Sequence, residues 1–136
     1  MAKKLALESK CVSYKVACLF VKDGRIIATG INGTPPGYLN CCDRFPGGKT
    51  PEHHEWSDTH EIHAEQNAIT YAARKGIALE GSTVYCTLKP CKHCTKLLIT
   101  LGVHNIFYID RYRRNDDDTL DLFLLRCTIN ITQLEV

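Results

Sequence analysis

Residues 63–110, HAEQNAITYAARKGIALEGSTVYCTLKPCKHCTKLLITLGVHNIFYID, decide the fold. Over 63–75, Ala68, Ile69, Ala72 and Ala73 gather on one helical face, and Gly76 follows where a left-handed cap ends a helix. Residues 83–88 alternate Val84, Cys86 and Leu88, the two-residue period of a strand. Leu97, Leu98 and Leu101 place another helix over 91–101, which Gly102 closes. The strand over 105–110 contains the continuous apolar run 106–109, as expected of a strand covered on both faces. Helices alternating with strands in this way imply parallel crossovers.

Toward the N-terminus, 16–21 and 25–32 read as two strands joined at Lys22-Asp23-Gly24, which predicts a hairpin. A short helix is expected over 3–11. Residues 33–61 have Gly and Pro early and no clean periodicity, and a loop of that length in a compact domain is functional or pinned. It holds Cys41, Cys42, His53, His54 and His60, so a metal is the natural pin. Toward the C-terminus, Leu120, Phe123, Leu124 and Cys127 follow the i, i+3, i+4, i+7 rule for one more helix. The Asp run at 116–118 suits its N-terminus, and a last strand is expected over 129–135. The predicted architecture is one α/β domain over 1–136, a three-layer α/β/α arrangement. Its mixed sheet has about five strands, with helices on both faces.

Composition narrows the function. Seventeen Lys+Arg against fifteen Asp+Glu give a net charge of +2, without the basic footprint of a nucleic-acid or acidic-membrane binder. The chain is 44% hydrophobic and 24% charged, as an ordinary globular domain is. Apolar runs such as 16–21 are far too short to span a bilayer. MAKKLALESK is basic with no apolar stretch behind it, so no secretory signal is expected and the predicted location is cytoplasmic. Eight Cys in such a chain point to metal ligation plus buried thiols rather than to a disulfide framework. Cys18, Cys86 and Cys127 lie within apolar patterns and are read as core.

The chemistry sits at two helix starts. Cys91 and Cys94 are i, i+3 neighbours in Pro90-Cys91-Lys92-His93-Cys94, so both sulfurs reach one ion from the first turn. A helix N-terminus also favours the thiolate that a metal requires. His63 opens the other helix and supplies a third ligand of the right type. Three protein ligands leave the fourth position of tetrahedral zinc open, as a catalytic site needs. Glu65, two residues on, can reach the water that such a site activates. Two thiolates cancel the charge of the ion, so a nearby carboxylate is needed to accept the proton. A Cys-x-x-Cys alone is equally a structural zinc knuckle or a redox pair. A closed site wants a fourth ligand nearby, however, and a redox pair has no use for His-x-Glu.

His-x-Glu followed by Pro-Cys-x-x-Cys, each opening a helix, is the zinc deaminase signature. With HAEQNAI, GINGTPPG and a Cys-bearing loop between them, the chain resembles the deoxycytidylate (dCMP) deaminases, most of all their bacteriophage members. The likeness runs from SKCVSYKV to Tyr112. It implies a cytidine-deaminase-like fold and hydrolysis of dCMP to dUMP and ammonia, with dUMP feeding thymidylate synthesis. His63, Cys91 and Cys94 would hold catalytic Zn2+. Glu65 would shuttle the proton, protonating N3 and then the leaving amine. Asn32 would lie near the sugar, the backbone of Ala64 against the base and Tyr112 against the nucleotide. Arg113 or Arg114 would bind phosphate, unless 111–114 is simply a solvated basic turn. The phage likeness also implies a second, structural zinc on Cys11, Cys41 and His53, with Glu61 as fourth ligand and Cys42, His54 and His60 as competitors. A homo-oligomer, a hexamer, is implied, with Arg74 at a subunit contact or as a plain exposed arginine. Effectors dCTP and dTTP with Mg2+, and the host cytoplasm for a phage-encoded chain, belong to the same inference.

Three departures stand out. Ile31 replaces an aromatic common in the activator segment of relatives, and the N-terminal helix is short. Between the catalytic cysteines stand Lys92-His93, where relatives commonly carry neutral or acidic residues. That pair is either surface charge at a helix start or a cationic feature that admits dCTP as well as dCMP. Rival readings are a zinc deaminase of tRNA adenosine or of a free nucleoside, a non-catalytic zinc-binding interaction module, and a thiol oxidoreductase. The near-neutral charge argues against RNA, the Glu65 carboxylate against a purely structural zinc, and metal-bound cysteines against redox work.

Overall fold

A computed structural model describes residues 1–111, 123, 124, 126, 127 and 129–135. Its elements in order are α1 (Ala2–Ala6), β1 (Ala17–Lys22), β2 (Arg25–Ile31), α2 (Cys41–Arg44), α3 (His53–His60), α4 (Ala64–Lys75), β3 (Thr83–Leu88), α5 (Lys92–Thr100), β4 (Asn105–Asp110) and β5 (Asn130–Gln133). The sheet order is β2-β1-β3-β4-β5. Asp23 and Gly24 both take positive φ, 52° and 73°, so the β1–β2 turn has the twist that a tight hairpin requires. β1 pairs antiparallel with β2 and β3, whereas β3, β4 and β5 run parallel. The α4 crossover therefore passes over β1 before the chain enters the sheet again at β3.

Register sorts the core. Cys18 faces Cys86 and Phe20 faces Val84 across β1 and β3, while Val84 faces Ile106 and Cys86 faces Tyr108 across β3 and β4. With Ala28 these residues share one sheet face, where they pack against Ala64, Ala68 and Ala72 of α4 and Leu98 of α5. Phe20, Leu98 and Ile106 are fully buried, each worth roughly 1.5–3 kcal/mol. On the other face Tyr85 stacks on Phe107 at 5.2 Å. α1, whose buried Ala6 stands outside that core, packs along β1 and β3.

Gly30 sets how closely α4 approaches β2. A Cβ there would overlap the Ala64 carbonyl oxygen and lie 2.5 Å from Ala68 N. That close approach seats the first turn of α4, with His63 as its N-cap, directly over the sheet. Gly76 ends the helix at φ 69°, a left-handed cap as predicted.

Two expectations need correcting. The N-terminal helix ends at Ala6 rather than 11, because the polar groups of 9–16 bond to Asn32 instead of to a continuing helix. The segment 33–61 carries α2 and α3, two short helices without an apolar stripe to announce them. Of the helix expected around 120–127, Phe123, Leu124 and Arg126 are helical, with Leu124 in the core. Its acidic start at 116–118 lies outside the described residues. Among the described residues no helix is long and apolar enough to cross a membrane.

Candidate functional site

Two helix starts converge beside the sheet. His63 caps α4, and its N–H donates to Gln66 Oε1 at 3.0 Å, which holds the first turn in place. Cys91 caps α5 and its sulfur accepts from Cys94 N at 3.5 Å. His63 Nδ1 lies 3.6 Å from Cys91 Sγ and 3.3 Å from Cys94 Sγ. Zinc with bonds of about 2.1–2.3 Å spaces its tetrahedral donors about 3.5–3.8 Å apart, so the residues present fit the ion. The electrostatics agree. The Cys94 thiol, helped by His63, donates to Cys91 and holds it far below the ordinary thiol range. Cys94 is pushed up, first by its bond to Cys91 and then by burial. His63 is raised, chiefly by its bond to Cys91. Three donors sharing protons in this way are ready to exchange them for a dication.

Glu65 is 4% exposed, in the first turn of α4. Burial pushes its carboxyl up from the usual carboxylate range, while the Cys94 thiol and His63 pull it down. It lines a cavity of about 360 Å³ together with His63, Ala64 and Cys91, a volume within the roughly 300–1,000 Å³ range of small-ligand sites. A buried carboxyl set beside the Cys94 thiol and His63, in the lining of such a cavity, can carry protons.

A second cluster opens on the same cavity. Cys11, Cys41, His53 and Glu61 bring one ligand atom each to within 4.8 Å of one another. His53 Nε2 is 3.2 Å from Cys41 Sγ and 3.8 Å from Cys11 Sγ, and the Cys11 thiol donates to Glu61 Oε2 at 3.4 Å. Ser57 also donates to Glu61 Oε2. Glu61 Oε1 is buried without a partner among the described residues, a cost that a cation would remove. Phe45 packs edge-on against His53 at 5.2 Å and against Trp56 at 5.4 Å, closing the cluster from behind. The competing ligands stand apart. Cys42 and His54 are exposed, and His60 is stacked between Tyr38 and Trp56.

Asn32 lines the cavity, but much of its side chain is spent on the protein itself: it bonds Tyr14 O, Val16 N and Ser9 Oγ, each at 2.8 Å. Arg74 is exposed in the last turn of α4. Tyr112, Arg113 and Arg114 lie outside the described residues. Of the pair between the cysteines, His93 lines the cavity, whereas Lys92 is exposed and is no part of its lining. His54, read from the sequence only as a competing zinc ligand, lines it too, as do Lys49, Ser57 and Asp58, which sequence reasoning missed. Only Ser57 carried a signal, its i, i+4 spacing to Glu61.

Residues 1–110 match the family model described as the cytidine and deoxycytidylate deaminase zinc-binding region. The deoxycytidylate deaminase of Enterobacteria phage T4 is 38% identical over 148 aligned positions, covering 85% of this chain and 77% of its own. The crystal structure of dCMP deaminase from the cyanophage S-TIM5 in complex with dCMP and dUMP superposes with a TM-score of 0.79 at 32% identity. The match covers 98% of this chain and 90% of that one. A structure from studies of tRNA:A34 deaminases reaches a TM-score of 0.60 at 17% identity, covering 98% and 96%, a likeness of fold alone.

Proposed function

This chain belongs to the cytidine and deoxycytidylate deaminase family of zinc-dependent hydrolases, and on that premise we propose that it hydrolyses dCMP to dUMP and ammonia. The observation that carries the reading is the meeting of His63, Cys91 and Cys94 at 3.3–3.6 Å beside a buried Glu65 in the lining of the cavity. Zinc on those three residues would supply a Lewis acid that lowers the pKa of water and so makes a nucleophile at neutral pH. Glu65 would take one proton from that water and place it on N3 of cytosine as C4 is attacked. It would then take the remaining hydroxyl proton from the oxygen on C4 and deliver it to the amine, which leaves as ammonia when the C4–N bond breaks. The raised carboxyl of Glu65 suits both directions of transfer. The backbone of Ala64, 1% exposed on the cavity wall, lies against the base. Asn32 faces the sugar. Tyr112 and the phosphate-binding Arg113 or Arg114 complete the nucleotide site.

Cys11, Cys41, His53 and Glu61 hold a second, structural zinc, a reading supported by the orphaned Glu61 oxygen. It ties α2 and α3 to the segment before β1. The chain works as a homo-oligomer, a hexamer, with Arg74 at a contact, and supplies dUMP for thymidylate synthesis in the cytoplasm of a host cell. Control by dCTP and dTTP with Mg2+ is the regulatory part of this reading. A second substrate, dCTP, is favoured by one observation: His93 and Lys49 both line the cavity, where they can meet additional phosphates.

Ammonia release by zinc-loaded protein offered dCMP, dCTP and deoxycytidine in parallel tests the proposal. Turnover of dCMP well above deoxycytidine is expected. His93→Ala lowers relative turnover of dCTP if the second substrate is real and leaves the ratio unchanged if it is not. No turnover of any of the three, with dCTP also tried as activator, would overturn the assignment.

A further inference from the structure

Residues 9–16 run without regular structure from α1 to β1 and build one wall of the cavity, to which Cys11, Ser13, Tyr14 and Val16 contribute. What holds this wall is a small polar network. Val16 N donates to Asn32 Oδ1 at 2.8 Å, which fixes the amide so that Nδ2 donates to Tyr14 O at 2.8 Å. Asn32 N donates to Val16 O at 3.2 Å. Ser9 closes the network from the other end. Its hydroxyl, 1% exposed, has Asn32 O at 2.9 Å and Asn32 Oδ1 at 2.8 Å, and it accepts from Cys11 N at 3.3 Å. Lys15 Nζ donates to Ser9 O at 2.9 Å, folding the wall back on its own start.

Counting donors and acceptors shows why the hydroxyl matters. Asn32 Oδ1 accepts from Val16 N and shares the single Ser9 hydroxyl proton with Asn32 O, while Nδ2 gives one bond, so one Nδ2 proton keeps no protein acceptor among the described residues, on a side chain lining the cavity. The direction of that proton depends on Oδ1 being held from both sides. Ser9 supplies one of those holds and is bonded in the same place to the backbone of Cys11, a member of the second cluster. We infer that Ser9 is a positioning residue for the substrate site. It aims the remaining Asn32 donor at the nucleotide and couples the Cys11 end of the wall to nucleotide affinity. The inference rests on the dCMP reading for its substrate, not for its geometry.

Two readouts keep those apart. In Ser9→Ala, KM for dCMP should rise about tenfold with kcat within about twofold, as expected when binding is lost and the chemistry is left alone. Ser9→Thr, which keeps the hydroxyl, should recover most of that loss. Amide hydrogen exchange needs no substrate: in Ser9→Ala the Cys11 and Val16 amides should exchange at least about tenfold faster, with Val84 and Ile106 unchanged. Unchanged exchange at Cys11 and Val16 overturns the inference, as does an unchanged KM beside a wild type that turns over dCMP. If the wild type does not turn over dCMP, the proposed function has failed and the exchange result alone decides the role of Ser9. Should Ser9→Ala yield no folded protein, exchange is read in the wild type with and without dUMP. Added protection at Cys11 and Val16 supports the inference, and none overturns it.

Discussion

Glu65 occupies a place that no carboxyl takes for stability. It is almost wholly buried, and burial raises its pKa above the usual value. Through the window between its unfolded and folded pKa values, the unfolded chain has lost the proton while the folded chain keeps it. The group therefore costs stability increasingly as pH rises through that window. Glu65→Gln should raise the melting temperature of metal-free protein by a few degrees at neutral pH. The gain should shrink as pH falls toward the carboxylate range. Melting curves across pH check this, and a variant less stable than wild type at every pH would contradict it. Burial acts in the same sense on the second cluster. Burial pushes the Cys11 thiol up to about 12 and Cys41 up as well, so both are protonated at neutral pH and an ion must displace those protons. Zinc affinity of this cluster should climb about tenfold per pH unit for each proton displaced. Zinc titration in weak buffer, reading proton release, measures it. Cys41→Ser should lower the zinc content from two ions per chain to one, and a content that stays at two would remove Cys41 from the ligand set.

At the scale of elements, Gly30 decides whether α4 can lie where its first turn becomes useful. Gly30→Ala sets a Cβ against the backbone of Ala64 and Ala68, and helix backbone cannot yield as a flexible side chain does. A loss of roughly 1–3 kcal/mol is expected, as for other overpacked sites, together with weaker zinc binding because His63 moves with the helix. Denaturant unfolding and zinc affinity report the two effects. The regular elements are legible in the sequence itself: α4, β3, α5 and β4 carry clear apolar periods, and Gly76 and Gly102 mark helix ends. α2 and α3 are not. Their buried residues are Cys41 and His53, so a ligand cluster rather than an apolar stripe holds them. The three residues at the helix starts can be read from local spacing. Cys11, Cys41, His53 and Glu61 come from separate segments, and only the likeness to phage enzymes groups them. The network of Ser9 and Asn32 leaves no trace in the sequence, because it satisfies backbone groups that any residue would present.

Across the whole molecule, both ligand clusters open on one cavity, so metal removal should act on shape as well as chemistry. Treatment with a strong chelator is expected to lower the melting temperature by several degrees and to open α2 and α3 to proteolysis. Zinc should restore both, and a melting temperature indifferent to chelation would argue against the second ion. The net charge of +2 fits a small anionic substrate rather than a polynucleotide. The central claim is that Glu65 carries protons for a zinc site on His63, Cys91 and Cys94 acting on dCMP. Its most direct test is the time course of dCMP conversion to dUMP by wild type beside Glu65→Gln, with zinc content measured in both. The account predicts turnover by the wild type and a fall of at least about a thousandfold in the variant at equal zinc content. Equal turnover by the two proteins, or none by a zinc-loaded wild type, would contradict it.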